Sequence, residues 1–184
     1  MTRTLRVIAG RYGGRRLTAP KGRTTRPTSD KVREALFQML GDVTGARAID
    51  LFAGTGALGI EALSRGAERV VFVERNRGAI EALRANLTAL EVGEEQALVR
   101  REDALDALKR ARERKETYDL VLIDPPYGRA RELGGRLSAS LPELLEPGAR
   151  LVAESDRRMP LELELALSKE RRYGDTEIRI YRHE

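Results

Sequence analysis

The chain contains no cysteine and no tryptophan, and its only histidine, His183, is the last residue but one. These absences exclude disulfides, thiolate zinc sites, cysteine nucleophiles and any catalytic triad built on histidine. Aromatic side chains are scarce, with five tyrosines and three phenylalanines in 184 residues. No apolar run approaches the ~20 residues that span a bilayer. With no disulfide chemistry and no secretory leader, the expected setting is the cytoplasm. The expected state is a soluble monomer with neither metal nor membrane partner. A single domain of this length buries roughly 70% of its unfolded surface and needs no covalent staple.

What is abundant is charge, unevenly spread. The net charge is +5, yet residues 1–33 hold ten basic side chains against one acid, Asp30. That segment is +9, and the remainder, with 24 basic against 28 acidic side chains, is −4. A basic arm joined to a nearly neutral body suggests contact with a polyanion, although a solvated basic surface has the same composition. The expected boundaries are 1–26 for the arm, which is not an independent domain, and 27–184 for the body. Arginine outnumbers lysine, and its planar fork suits bidentate phosphate contacts.

Apolar periodicity sets the layout. Leu5–Ala9 reads as a strand, Tyr12-Gly13-Gly14 as a turn and Arg15–Thr18 as the return strand. A helix opens at Pro27–Asp30, capped by Thr28 or Ser29, and runs to about Leu40. In it Val32, Ala35, Leu36, Met39 and Leu40 share one face, leaving Lys31, Arg33 and Glu34 for the other. From Ala46 onward short apolar strands alternate with amphipathic helices. The strands are Ala46–Phe52, Arg69–Val73, Ala97–Arg101, Leu120–Asp124 and Arg150–Glu154, and the helices lie near 57–65, 77–90, 103–114 and 131–145. Such alternation implies right-handed crossovers and a parallel sheet covered on both faces. Glu170–Tyr173, the turn Gly174-Asp175 and Thr176–Tyr181 read as a closing antiparallel hairpin. The fold class is therefore α/β and Rossmann-like, with seven strands, mostly parallel, preceded by a short basic β-hairpin.

Ligands of such sheets bind beyond the carboxyl ends of the strands. The first strand ends in Asp50-Leu51-Phe52-Ala53-Gly54-Thr55-Gly56-Ala57-Leu58-Gly59, which contains G-x-G-x-x-G. By itself the loop fits a structural turn, a dinucleotide site or another nucleoside cofactor. Glu74, 20 residues beyond Gly54, is placed to accept hydrogen bonds from ribose hydroxyls, and Asp103 follows the third strand, where an ordinary helix cap is an equally good reading. After the fourth strand comes Asp124-Pro125-Pro126-Tyr127. Two prolines remove two backbone donors and hold the chain extended, leaving acceptors beside an acid and an aromatic ring. That arrangement suits an amino group on a flat ring. A pyrophosphate loop does not require Asp50 or Phe52, and a dehydrogenase has no use for Asp-Pro-Pro-Tyr. Carboxylates at Asp50, Glu74 and Asp103 suit the cationic and hydroxyl groups of S-adenosylmethionine, which offers a sulfonium, an amino-acid group, a ribose and an adenine.

These residues resemble the motifs of class I S-adenosylmethionine-dependent amino-methyltransferases. Arg6-Val7-Ile8-Ala9-Gly10, Gly14-Arg15-Arg16-Leu17, the block from Arg26-Pro27-Thr28-Ser29-Asp30 through Phe37, and Tyr173-Gly174-Asp175-Thr176 narrow the likeness further. Together they resemble the bacterial 16S ribosomal RNA guanine-N2 methyltransferases of the RsmD type, over nearly the whole chain. Gln38 stands where that family's pattern has asparagine. The resemblance implies that Asp50, Phe52, Ala53, Gly54, Gly56, Glu74, Asp103 and Ala104 hold the cofactor. The two glycines would wrap the methionine moiety, Glu74 the ribose and Asp103 the adenine amino group. Asp124, Pro125, Pro126 and Tyr127 would form the catalytic tetrapeptide, with Asp124 and the Pro125 carbonyl accepting from the guanine N2 and Tyr127 stacking on the ring. Arg6, Arg11, Arg15, Arg16, Arg26, Lys31 and Arg33 would meet 16S rRNA, in an assembled or assembling small ribosomal subunit. The alternatives are an adenine-N6 DNA methyltransferase and a non-catalytic RNA-binding protein; an NAD oxidoreductase lacks a placed proton donor.

Overall fold

The computed structural model describes residues 5–19, 29–126 and 128–184. Within them the helices are α1 (Asp30–Leu40), α2 (Ala57–Ser64), α3 (Arg77–Ala89), α4 (Ala104–Glu113) and α5 (Ala130–Ser140). The strands are β1 (Arg47–Asp50), β2 (Arg69–Glu74), β3 (Ala97–Arg101), β4 (Tyr118–Ile123), β5 (Leu145–Asp156), β6 (Ala166–Tyr173) and β7 (Thr176–Arg182). They form one sheet of order β3-β2-β1-β4-β5-β7-β6, in which the first five strands run parallel and β7 pairs antiparallel with both β5 and β6. The chain leaves β1 toward β2 and β3, then returns to lay β4 on the other flank of β1. The switch point therefore falls between β1 and β4, where a crevice opens at the strand ends.

Each face of the sheet carries its own apolar layer. Leu36, Phe37, Ile60, Phe72, Leu83, Leu120 and Leu122 belong to the layer under α1, α2 and α3. Ile49, Val71, Leu108, Val121, Ile123, Leu133 and Leu137 belong to the layer under α4 and α5. Burying one such side chain contributes ~1.5–3 kcal/mol, so either layer outweighs any single polar contact. Helix starts follow local chemistry: the side chains of Ser29, Asn76 and Asp103 accept from the backbone amides of Val32, Ala79 and Leu105. Among the described residues no helix is long and apolar enough to cross a membrane.

Several expected boundaries shift. The helix expected over 131–145 stops at Ser140, because Pro142 opens a 3₁₀ turn over Pro142–Leu144. The fifth strand begins at Leu145 rather than Arg150, with an irregular register to β4. The N-terminal hairpin is reduced to one antiparallel bridge, Arg6 to Arg16, flanked by ladder bonds from the Val7 amide to the Arg15 carbonyl (2.9 Å) and from Leu17 to Leu5 (2.8 Å).

That segment is docked rather than extended. Val7, Tyr12 and Leu17 join the apolar layer of α1 to α3. Fully buried Glu61 of α2 accepts from the Ile8 amide (2.7 Å), the Ala9 amide (3.1 Å) and Arg65 Nε (2.7 Å). Ser64 donates to the Ala9 carbonyl and accepts from the Tyr12 amide. A buried carboxylate is tolerated here because donors surround it.

Candidate active site

Strand alternation assembles the site. Along β1, β2, β4 and β5 every second side chain points to the face covered by α1, α2 and α3. Continuing that alternation places Asp50, Glu74, Asp124 and Glu154 on this one face, at the carboxyl rim. Residues 20–28 and Tyr127 lie outside the described residues, and with them the expected RNA contact Arg26 and the expected stacking ring.

On the β1–β2 side the expected cofactor residues are knit to one another. Glu74 Oε2 accepts from the Gly54 amide (2.9 Å) and Oε1 from the Asn76 amide (2.7 Å). Asp50, 1% exposed, accepts from the Gly59 amide at 3.0 Å through Oδ2, while its Oδ1 makes no hydrogen bond within the fold. Burial, opposed by the Gly59 amide and reinforced by the nearby charge of Glu74, pushes the Asp50 carboxyl up to about 7. Gly54 and Gly56 both have positive φ, +55° and +87°, which only glycine adopts without strain. A Cβ on Gly56 would stand 2.3 Å from Leu83, whereas one on Gly54 would meet nothing within 4 Å. The loop is thus packed on one side and open on the other. Phe52 is half-buried, Ala53 and Ala104 are buried, and the Ala53 amide bonds the Val73 carbonyl. Asp103 caps α4 through Oδ1 at 3.0 Å from Leu105, and its Oδ2 lies 3.9 Å from Arg75. Both readings of Asp103 therefore remain compatible, because the cap uses only one oxygen.

On the β4–β5 side the strand ends border a shallow cleft, open to solvent and lined by Asp124, Pro125, Pro126, Gly128, Glu154 and Asp156 among others. Pro125 is buried and Pro126 exposed, so the prolines form the floor and edge of one wall. Met159, 44% exposed, supplies an apolar lip.

The basic residues separate into two groups. Arg11, Arg16 and Lys31 are exposed, as are Arg6 and Arg15, though Arg6 Nε pairs with Asp30 at 2.9 Å and Arg15 donates to the Ala89 carbonyl at 2.6 Å. Arg33 departs from expectation. Its side chain is fully buried, donating to the Arg6 carbonyl (2.5 Å) and to Asp30 (3.0 Å), and it cannot reach RNA as the protein stands. The cause is helical spacing: Arg33, Leu36, Phe37 and Leu40 follow i, i+3, i+4, i+7, so Arg33 lies on the apolar stripe. Burial lowers its pKa, countered by the charges of Glu61, Asp30 and Glu154.

Three residues carry the site without having been singled out from sequence. Asn86 of α3, 2% exposed, accepts from the Thr18 amide (2.7 Å) and donates to the carbonyls of Thr18 (3.1 Å) and Thr55 (3.0 Å). It ties the N-terminal segment to the glycine loop. Glu61 anchors the same segment to α2. Glu154 continues the row of acids onto a fifth strand, a signal visible in the sequence as one more acid at a strand end. Among the described residues no group of three or more potential ligands is arranged to hold a metal ion.

A family profile described as Conserved hypothetical protein 95 matches residues 5–182. YlbH of Bacillus subtilis is 41% identical over 182 residues, with 97% of this chain and 98% of its own covered. Ribosomal RNA small subunit methyltransferase D of Haemophilus influenzae is 35% identical over 184 residues, with 97% of this chain and 94% of its own covered. The solved structure of yhhF from Escherichia coli superposes with a TM-score of 0.80 at 33% identity, covering 98% of each chain.

Proposed function

The chain belongs to the ribosomal RNA small subunit methyltransferase D family, and on that footing we propose that it methylates the exocyclic N2 of a guanine in small-subunit rRNA, with S-adenosylmethionine as donor. The observation that carries this reading is that the carboxyl ends of the paired strands β1 and β4 carry an open glycine loop and the Asp124-Pro125-Pro126 cleft on one rim of the sheet. Family membership brings the rRNA substrate and the methyl-transfer chemistry; the cleft's acceptors support an amino group as target. The place of action is the cytoplasm, on an assembled or assembling subunit that supplies shape beyond what so small a basic surface reads.

The residues fit the donor. The Asp50 Oδ1 that lacks a hydrogen bond, the open side of Gly54 and the carboxylate of Glu74 form a cradle for cationic and hydroxyl groups. Asp103 and Ala104 border the adenine end. When bound, S-adenosylmethionine supplies a methyl carbon already activated on a sulfonium, which leaves as a neutral thioether.

An exocyclic amine is a poor nucleophile because its lone pair is delocalised into the ring. Acceptors at Asp124 and the Pro125 carbonyl hold the two N–H bonds and turn the lone pair toward the methyl carbon. The N–C bond forms as the C–S bond breaks, and one amine proton departs to Asp124 or water. Positioning and electrostatics then supply the rate, with no strong base required. Tyr127 is proposed to stack on the extruded base, worth ~1–3 kcal/mol. Arg11, Arg16 and Lys31, joined by Arg6, Arg15 and Arg26, are proposed as phosphate contacts.

The test offers radiolabelled S-adenosylmethionine with unmodified small subunits, naked 16S RNA and unmethylated duplex DNA, then identifies the labelled nucleoside. Label in N2-methylguanosine from an RNA acceptor is the expected result. Label in N6-methyladenine of the DNA overturns the substrate.

A further inference from the structure

Resting on that reading, we propose that Glu154 accepts the N1 hydrogen of the target guanine and so makes the site choose guanine over bases that carry an exocyclic amine without a ring N–H beside it. Ile123 pairs with Ala153 in the β4–β5 ladder, and the next step of that register sets Asp124 beside Glu154. Both line the same cleft. Adjacent strands lie about 4.8 Å apart, close enough for two carboxylates to converge on one edge of a base.

The chemistry of that edge decides the match. Guanine offers two neighbouring donors, the N2 amine and the N1–H. Adenine offers the N6 amine beside a bare N1 lone pair. With Asp124 on the amine, a second carboxylate accepts guanine's N1–H in a charge-assisted bond and repels adenine's N1. No role in the cofactor cradle accounts for Glu154, because that cradle lies on the far side of Asp124, at β1 and β2. Asp156, the other acid of the cleft, is committed to its own turn, accepting from the Arg158 amide at 2.8 Å.

Glu154 is 6% exposed, and its charge is one of several, after those of Glu61 and Asp30, that act on Arg33, wholly buried on α1.

The experiment uses small subunits reconstituted with rRNA that carries, at the mapped target position, either guanine or 2-aminopurine. The latter keeps the 2-amino group and lacks the N1 hydrogen. The wild-type protein is expected to prefer guanine by at least ~100-fold in kcat/KM. Glu154→Gln, whose amide donates to a bare N1, is expected to narrow that preference at least ~10-fold with S-adenosylmethionine affinity unchanged. If the single variant does not fold, the Glu154→Gln/Arg33→Met protein replaces it, since that pair removes one buried charge of each sign. A variant that makes N2-methylguanosine with the wild-type preference intact overturns the role of Glu154 alone. Wild-type protein that makes no N2-methylguanosine on the guanine acceptor overturns the proposed function, and this inference with it.

Discussion

The two halves of the carboxyl rim are built on opposite plans. On the β1–β2 side, both oxygens of Glu74 accept from the amides of Gly54 and Asn76 and one oxygen of Asp50 from that of Gly59, so the cradle is shaped by its own hydrogen bonds. On the β4–β5 side, Asp124 and Glu154 stand at the ends of neighbouring strands beside an open cleft, and the charge of Glu154 acts on Arg33 of α1. The difference teaches how the work is divided. Under the proposed function, a small ligand that returns at every turnover would be met by a preformed loop, and a base drawn out of a large RNA by strand ends whose spacing the sheet fixes.

Breaking the second half at its support has the largest expected consequence. Arg33→Met leaves Glu154 and Glu61 without their buried cation and should cost ~3–5 kcal/mol. In a thermal melt that lowers Tm by about 10 °C. Adding Glu154→Gln to Arg33→Met should recover part of the loss; a double variant less stable than the single one would mean that the two charges are not coupled.

A smaller effect is expected in the first half. Asn86→Ala strips the Thr55 carbonyl and both Thr18 backbone groups of a buried partner, costing ~1–3 kcal/mol. Because Thr55 sits in the glycine loop, weaker S-adenosylmethionine binding, roughly tenfold by calorimetry, should accompany the lost stability. Unchanged affinity would detach Asn86 from the cofactor half.

Proton linkage sharpens the same half. Asp50 is pushed up to about 7, so between the ordinary carboxylate range near 4 and that value the folded chain holds a proton the unfolded chain has released. Its contribution to stability therefore declines as pH rises through that window. A cationic ligand favours the ionised form, so cofactor affinity should rise several-fold from pH 5.5 to 6.5, below the range in which an α-amino group loses its proton. Calorimetry in buffers of different ionisation enthalpy should detect the proton released; no release would place the ligand's charge away from Asp50.

The smallest change is expected at the exposed arginines. Arg16→Ala should lower the salt slope of RNA binding by about one and affinity by a few-fold, since one phosphate contact is lost. An unaltered slope would remove Arg16 from the RNA surface.

Much of this was legible before any coordinates. The strands β1 to β4 and helices α2 to α4 fall within about two residues of their expected ends, because period-two and period-3.6 patterns are local. The spacing from Gly54 puts Glu74 at the rim as an acceptor for ribose hydroxyls, but does not show that its oxygens accept from the Gly54 and Asn76 amides. What was not legible depends on distance along the chain. The basic arm reads as loose until Glu61 and Asn86, 53 and 68 residues away from their partners, capture its backbone. Arg33 misleads because a charged residue on an apolar stripe reads as solvated unless its partners, Asp30 and the distant Glu154, are known. The fifth strand was foreseen from Arg150 only, since Pro147 and Gly148 interrupt the apolar run that precedes it.

The central claim is that the rim divides at Asp124 into a half that binds the methyl donor and a half that receives the base. The most direct measurement is the S-adenosylmethionine dissociation constant of Asp124→Ala, taken with its methyl transfer to unmodified small subunits. The account predicts affinity within about threefold of wild type, and transfer reduced by on the order of 10²–10³-fold through the loss of an acceptor at the reacting amine. Affinity lost along with transfer would contradict it, placing Asp124 in the cofactor half and leaving the cleft without its defining residue.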